Sequence, residues 1–208
     1  MEHLRANDQL EFFKPKPPDP RVVERWKARL EALSNSEGYV LHTTLALTNT
    51  KIFYVSEVRD STKTFLAHLL PSFVLKLEGD WQESGYLFPH AHLLLPPVSE
   101  VRPFLTALKW SGARVVQPKY RGEVLPDPFT LLPPDRGPEN AWDYMSSLPD
   151  LTALEGLVNL RESTISSLKN SPHLARYLAK TTYTGGLRPV IEHNLAPIRE
   201  AEALAPPA

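Results

Sequence analysis

The sequence has 208 residues, no cysteine and a formal net charge of −1, with 42% hydrophobic and 23% charged residues. This composition is ordinary for a globular protein with a substantial core, and the lack of cysteine excludes disulfides and thiolate metal sites. No apolar run approaches about 18 residues and the N-terminus is polar, so neither a transmembrane helix nor a signal peptide is predicted, and a cytoplasmic location is expected.

Hydrophobic periodicity divides the first half of the chain into helices and strands. Apolar residues recur at helical spacing over 21–33, whereas 39–48 is β-branched and partly alternating, which indicates a strand. The apolar runs 73–77 and 87–95 flank a polar turn and predict a hairpin. The other elements predicted before residue 117 are a helix over 58–70 that Pro71 ends, a helix over 99–110 with Ser99 as N-cap, and a short strand at 115–116.

Proline clusters mark the boundaries of the predicted elements. The cluster at 14–20 predicts an extended leader, and the cluster at 125–138 predicts a linker or a surface loop. Helical spacing then predicts a helix over 151–169. A last helix is expected to begin at Ser171-Pro172, with Ser171 as N-cap and Pro172 in the first turn, and to end near Lys180.

The order of these elements, β-α-β-β-α-β with trailing helices, predicts an α+β fold in which helices flank a central antiparallel β-sheet. The chain is expected to divide into three parts. These are a Pro-rich leader with an N-terminal helix (1–37), a domain (38–186) with a Pro-rich insertion at about 122–139, and a C-terminal tail (187–208).

Basic residues are concentrated in two segments although the total charge is nearly neutral. Neither 109–121 nor 169–188 contains an acidic residue. An ordinary solvated face and a surface that binds the phosphates of nucleic acid would both have this composition. The basic residues expected to contact DNA are Lys109, Arg114, Lys119 and Arg121.

Two histidines separated by one residue are the most informative feature of the sequence. His90 and His92 lie in a predicted strand, where residues two apart share a face, so both imidazoles could bind one divalent ion. Two partly buried structural histidines would give the same pattern. Glu78, at the end of the preceding strand, would complete a set of two histidines and one carboxylate that suits Mn²⁺ or Mg²⁺. A solvated turn residue is the alternative role for Glu78, and Glu83 in the turn is the competing carboxylate.

Tyr177 and Lys180 are spaced to share one face of the last predicted helix. A phenol with a pKa near 10 is a poor nucleophile at neutral pH, but a neighbouring ammonium stabilises the phenolate. A packed tyrosine beside a solvated lysine is the usual meaning of this spacing when no metal site accompanies it.

Three motifs in this order resemble those of the HUH-superfamily replication initiators of rolling-circle plasmids. The motifs are the Leu/Thr-rich strand TLALT (44–48), the strand FPHAHLLL (88–95) and the helix ARYLAK (175–180). The segment VLKLEGDW before the histidine strand is also similar to the family's strand that ends in glutamate. The resemblance spans about 38–186 and implies the HUH endonuclease fold, which is ferredoxin- or RRM-like.

The resemblance implies a metal-dependent endonuclease and strand transferase. It assigns His90, His92 and Glu78 to the metal, Tyr177 to nucleophilic attack and Lys180 to assistance of the tyrosine. The implied substrate is single-stranded DNA at a replication origin, and the implied products are a 5′-phosphotyrosine link and a free 3′-OH for rolling-circle replication. A host helicase and polymerase are the expected protein partners, and no membrane is expected.

Two positions depart from patterns found among these relatives. Some relatives have a glutamate four residues before the tyrosine that promotes release, and His173 occupies that position here. We expect His173, in the first turn of the helix, to stay neutral and to act as the base instead. Other relatives use two close tyrosines, but Tyr183 would not share the helical face of Tyr177. A single-tyrosine enzyme is therefore expected.

Other classes remain open from the sequence. A single-tyrosine HUH transposase shares the order of motifs. A two-histidine phosphoesterase would use His42 and Thr44 as an HxT motif, but needs a second HxT or HxS that the sequence HAH does not supply. A non-catalytic DNA-binding module would use the histidines for packing alone.

Overall fold

A six-stranded sheet organises the part of the chain described by the computed structural model, namely residues 18–47, 55–81, 87–132, 141–180 and 190–195. The spatial order of its strands is β4-β7-β1-β3-β2-β8, and every pairing is antiparallel except the parallel pair β4–β7. Strands β5 and β6 form a separate two-stranded ribbon. The strands are β1 (Tyr39–Leu47), β2 (Phe73–Trp81), β3 (Leu87–Leu95), β4 (Arg114–Val115), β5 (Lys119–Tyr120), β6 (Glu123–Val124), β7 (Val158–Lys169) and β8 (Val190–His193).

Six α-helices accompany the strands in the described residues. They are α1 (Pro20–Leu33), α2 (Val55–Leu69), α3 (Arg102–Trp110), α4 (Ala141–Ser146), α5 (Thr152–Glu155) and α6 (Pro172–Leu178), with 3-10 turns at Ser99–Val101 and Pro128–Leu131. Asp19 caps α1, and Ser171 caps α6 by accepting a hydrogen bond from the backbone N–H of Leu174, as the sequence predicts for Ser171. None of the described helices is both long enough and apolar enough to cross a membrane.

The two faces of the sheet carry different cores because side chains alternate along a strand. Odd-numbered residues of β1, β2 and β3, such as Leu41, Leu75 and Leu93, pack against α2 and α3. Even-numbered apolar residues of the same strands pack against α1 and α6, in a cluster that includes Val40, Val74, Leu94, Trp26, Leu30, Leu174 and Leu178. The even-numbered polar residues therefore lie on the face that α1 and α6 cover.

The structure confirms the predicted α+β class, with a six-stranded and mostly antiparallel central sheet. The helix expected over 151–169 is wrong: this segment forms the four-residue α5 and then the twelve-residue strand β7. Leu151, Leu154 and Val158 have helical spacing, but the β-branched and serine-rich residues that follow favour an extended chain. The register between β7 and β1 is also irregular, with a shift between Thr44 and Ala46 of β1. This irregularity interrupts the alternation of side chains in β7 that would indicate a strand.

Strands β5, β6 and β8 and helix α4 lie where the sequence analysis expects no regular structure. The ribbon β5–β6 precedes the Pro-rich segment, and β8 lies within the range 187–208 expected to be a tail. Strand β8 pairs with β2 and is an edge strand of the sheet. The helix α1, assigned to the leader, contributes Trp26 and Leu30 to the core.

Candidate metal centre

The register of β2 and β3 brings Glu78, His90 and His92 together on one face of the sheet. Glu78 lies directly opposite His90, and His92 is two residues further along the same strand. Strand β2 continues to Trp81, so Glu78 lies within the strand rather than at its end. All three side chains are buried, and one ligand atom from each lies within 4.8 Å of the others. The three residues named for the metal therefore form one cluster.

The distances from Glu78 to the two histidines match those between ligands of a single ion. Glu78 Oε2 lies 3.5 Å from His90 Nε2 and 3.2 Å from His92 Nε2. Two atoms each about 2.1 Å from an ion are separated by about 3.0 Å in octahedral and about 3.4 Å in tetrahedral geometry. His92 Nε2 is buried and makes no hydrogen bond of acceptable geometry with the described residues. A buried imidazole nitrogen in this position suits a metal bond, so the donor set fits a first-row divalent ion.

Lys76 supplies a positive charge to the same carboxylate. It is 2% exposed, and its ammonium contacts Glu78 Oε1, the oxygen that does not face the histidines. Burial alone would raise the pKa of Glu78, but the neighbouring imidazoles of His90 and His92 and the charge of Lys76 lower that pKa well below its ordinary value. Glu78 is therefore ionised at neutral pH and can bind a cation.

Two successive hydrogen bonds, from His92 to His42 and from His42 to Ser166, orient the ring of His92. His92 Nδ1 lies 2.9 Å from His42 Nε2, and His42 Nδ1 lies 3.1 Å from Ser166 Oγ. If His92 Nε2 is to bind a metal, its Nδ1 must carry the proton and donate it to His42. Burial first, and then the charge of His92, lowers the pKa of His42 well below 6.5; burial also lowers the pKa of His92. Both rings are therefore neutral at pH about 7, as metal binding requires.

Tyr177 lies at the exposed edge of the cluster. Its ring packs edge-on against His92 with 5.8 Å between ring centroids, and 39% of the residue is exposed. Lys180 places its ammonium 4.6 Å from the centroid of the same ring, and its backbone carbonyl accepts a hydrogen bond from Lys76. The end of α6 thus contacts His92 through the ring of Tyr177 and Lys76 through the backbone carbonyl of Lys180.

The remaining candidate residues are distributed around the sheet. His173, in the first turn of α6, is exposed and borders the same cavity as Tyr177. Lys119 and Arg121 lie on the β5–β6 ribbon and Arg114 on the edge strand β4, all three exposed. Lys109 lies on α3, whose buried residues pack on the opposite face of the sheet.

Two other tyrosines are alternatives to Tyr177 as the nucleophile. Tyr144 lies on α4 and its hydroxyl is 3.2 Å from Thr106 Oγ1 of α3, the helix on the opposite face of the sheet. Tyr183 lies outside the described residues, as do Thr48 of the first motif and Glu83 of the predicted turn. Of Tyr144 and Tyr177, the two candidate nucleophiles among the described residues, Tyr177 is the one that contacts the cluster.

Sequence analysis does not identify Lys76, His42 or Ser166 as parts of the site. A signal for Lys76 is present, since it lies two residues before Glu78 and so shares its face, but a lysine in a strand usually reaches solvent. His42 and Ser166 lie on two other strands, and their contact with His92 depends on strand order. Only the pairing of β1 with both β3 and β7 brings them to the cluster.

No protein-family model matches the sequence, and comparisons with curated proteins and with solved structures also give no significant match.

Proposed function

We propose that this protein nicks single-stranded DNA by transesterification, with Tyr177 as the nucleophile and a divalent ion bound by Glu78, His90 and His92. The observation that carries the proposal is the contact between Tyr177 and His92 at the edge of a buried cluster of metal-binding geometry. The lysine over the ring of Tyr177 and the cluster beside it together favour a reactive role over packing alone. The proposed ion is Mn²⁺ or Mg²⁺, since the ligands are imidazole nitrogen and carboxylate oxygen.

The proposed step exchanges one ester bond for another. Tyr177 Oη loses its proton and attacks a phosphodiester phosphorus, the bond from phosphorus to the 3′ oxygen breaks, and that oxygen takes up a proton. The products are a 5′-phosphotyrosine and a free 3′-OH, and no water is consumed. A bound divalent ion would supply charge neutralisation at the phosphate oxygens.

The surrounding residues make the tyrosine suitable for this attack. Lys180 lies over the ring of Tyr177, and its positive charge favours the phenolate over the phenol. The partial exposure of Tyr177 leaves it accessible to a strand of DNA. His173 precedes Tyr177 by four residues on the exposed side of α6, where it can accept the proton of an incoming 3′-OH in the closing step.

The reaction that leaves a free 3′-OH suits the initiation of rolling-circle replication, with a replication origin as substrate. A host helicase and a polymerase would then act on the nicked strand. The resemblance of the three motifs is the support for this biological role. The proposed nicking reaction is supported both by that resemblance and by the geometry of Glu78, His90 and His92.

Incubation with a labelled single-stranded oligonucleotide library and Mn²⁺ tests the proposal. We expect a detergent-resistant protein–DNA adduct that requires Mn²⁺ and that Tyr177→Phe abolishes. Tyr144→Phe is the matched control, because this tyrosine hydrogen-bonds to α3 on the other face of the sheet and should leave the adduct unchanged. An adduct that persists in Tyr177→Phe would overturn the assignment of the nucleophile.

A further inference from the structure

A cavity of about 340 Å³ lies beside the metal cluster on the same face of the sheet. This volume falls in the range of about 300–1,000 Å³ that is typical of ligand sites. His92 and Tyr177 both line the cavity, so it is continuous with the proposed reaction site. The other lining residues come from β1, β7, the first turn of α6 and the segment that contains the β5–β6 ribbon.

The lining combines apolar surface with positive charge. Leu125, Leu168 and Leu174 provide apolar side chains, and Lys119 and Lys169 provide ammonium groups. None of the described residues that line the cavity is acidic. A ligand that matches this lining has a flat ring to bury and a negative group to place on the lysines.

The β5–β6 ribbon holds an aromatic ring against this cavity. Its two-residue turn, Arg121-Gly122, has positive φ at both positions (52° and 88°), which is the signature of a tight hairpin turn and is uncommon for arginine. The turn presents Tyr120 to the cavity, with the guanidinium of Arg121 5.4 Å and the ammonium of Lys169 5.6 Å from the ring centroid. An aromatic ring with cations close to it is an arrangement that proteins use to stack a base and hold its phosphate.

We infer that the cavity binds one nucleotide of single-stranded DNA, next to the phosphate that Tyr177 attacks. The base lies against Tyr120 and the apolar lining, and the phosphate lies between Lys119 and Lys169. This inference rests on the proposed function for its substrate, but its own content is a binding site that needs neither the metal nor the reaction. It adds Tyr120 and Lys169 to the residues that position DNA.

Equilibrium binding without metal tests the subsite separately from the chemistry. The probe is a fluorescent single-stranded oligonucleotide library in EDTA, measured by anisotropy. We expect Tyr120→Ala to weaken binding about tenfold and Tyr120→Phe to bind within about twofold of the parent protein, because stacking needs the ring and not the hydroxyl. Lys169→Ala should lower the slope of log affinity against log salt by about 0.7. Lys63→Ala is the control, since this exposed lysine lies on α2 on the other face of the sheet.

Crosslinking of the unaltered protein covers the case in which Tyr120→Ala fails to fold. An oligonucleotide that contains 5-iododeoxyuridine should crosslink at Tyr120 on irradiation, and the same sequence in a duplex should not. Unchanged binding by Tyr120→Ala, equal crosslinking of duplex DNA, or crosslinks that map away from the ribbon would each overturn the subsite. If Tyr120→Ala loses binding but the parent protein forms no adduct, the subsite stands and the proposed nuclease activity is wrong. If the parent protein forms an adduct and Tyr120→Ala binds DNA normally, the nuclease activity stands and the subsite is wrong.

Discussion

Replacing the buried Lys76 with methionine should weaken the metal-free fold and strengthen metal binding. The ammonium of Lys76 contacts Glu78 Oε1, while Oε2 faces the imidazoles of His90 and His92. A divalent ion at Oε2 would therefore share its carboxylate with a positive charge. Methionine keeps an unbranched side chain in the same space and removes the positive charge. The substitution therefore leaves Glu78 to the divalent ion, without the competing ammonium of Lys76.

Both effects are large enough to measure. Removing one partner of a buried ion pair costs about 3–5 kcal/mol. We expect a loss of stability of about 3 kcal/mol, because the imidazole nitrogens of His90 and His92 still lie 3.5 Å and 3.2 Å from Glu78 Oε2. A divalent ion and a unit charge about 5 Å apart repel by roughly 7 kcal/mol at an effective dielectric constant of about 20. One fifth of that repulsion, about 1.4 kcal/mol, is a tenfold change in affinity, so Mn²⁺ should bind Lys76→Met about tenfold tighter or more.

Urea unfolding without metal measures the first effect, and titration calorimetry with Mn²⁺ measures the second. Lys63→Met is the matched control, because this exposed lysine on α2 lies on the other face of the sheet and should change neither quantity. An affinity for Mn²⁺ that is unchanged or weaker in Lys76→Met would refute the assignment of Glu78 as a metal ligand.

Three further outcomes test the surroundings of the cluster. His42→Ala should weaken Mn²⁺ binding about 10- to 100-fold because His92 loses the partner that orients its ring; an unchanged dissociation constant in calorimetry would remove His42 from the site. Stability without metal should fall as the pH drops from about 8 to about 5, since burial lowers the pKa of His42 and of His92 below 6.5 and the unfolded chain then takes up protons that the folded chain does not. Urea midpoints that stay level over this range would contradict buried, neutral imidazoles. His173→Ala should slow the decay of the covalent adduct and leave its formation unchanged; equal decay time courses in the variant and the parent would make His173 a bystander.

The sequence predicts that Glu78, His90 and His92 lie together because only two local rules are needed to build this cluster. The alternation of a strand places His90 and His92 on one face, and a hairpin brings the strand with Glu78 beside them. The helical period likewise places Tyr177 and Lys180 side by side. These rules act over a few residues or across one turn, so a single sequence is enough to apply them.

Features that depend on strand order could not be predicted in the same way. His42 and Ser166 are separated by 124 residues, and they meet His92 only because β1 lies between β3 and β7. The helical spacing of Leu151 and Leu154 predicts a helix where the structure has β7. The predicted sheet therefore lacks the strand that carries Ser166. Lys76 is buried because α1 and α6 cover its face of the sheet, and nothing in the spacing of the residues around it indicates that burial.

Mass spectrometry of the trypsin-digested protein–DNA adduct tests the central claim most directly. Trypsin cleaves after Arg176 and after Lys180, so Tyr177 lies in the peptide 177–180. Tyr183 lies in the next peptide, which begins at residue 181. We expect the mass of a 5′-phosphorylated oligonucleotide on the peptide 177–180, formed with Mn²⁺ in the parent protein and absent when both His90 and His92 are replaced by alanine. A nucleotide found on any other peptide, or an adduct that forms equally well without the two histidines, would contradict the account.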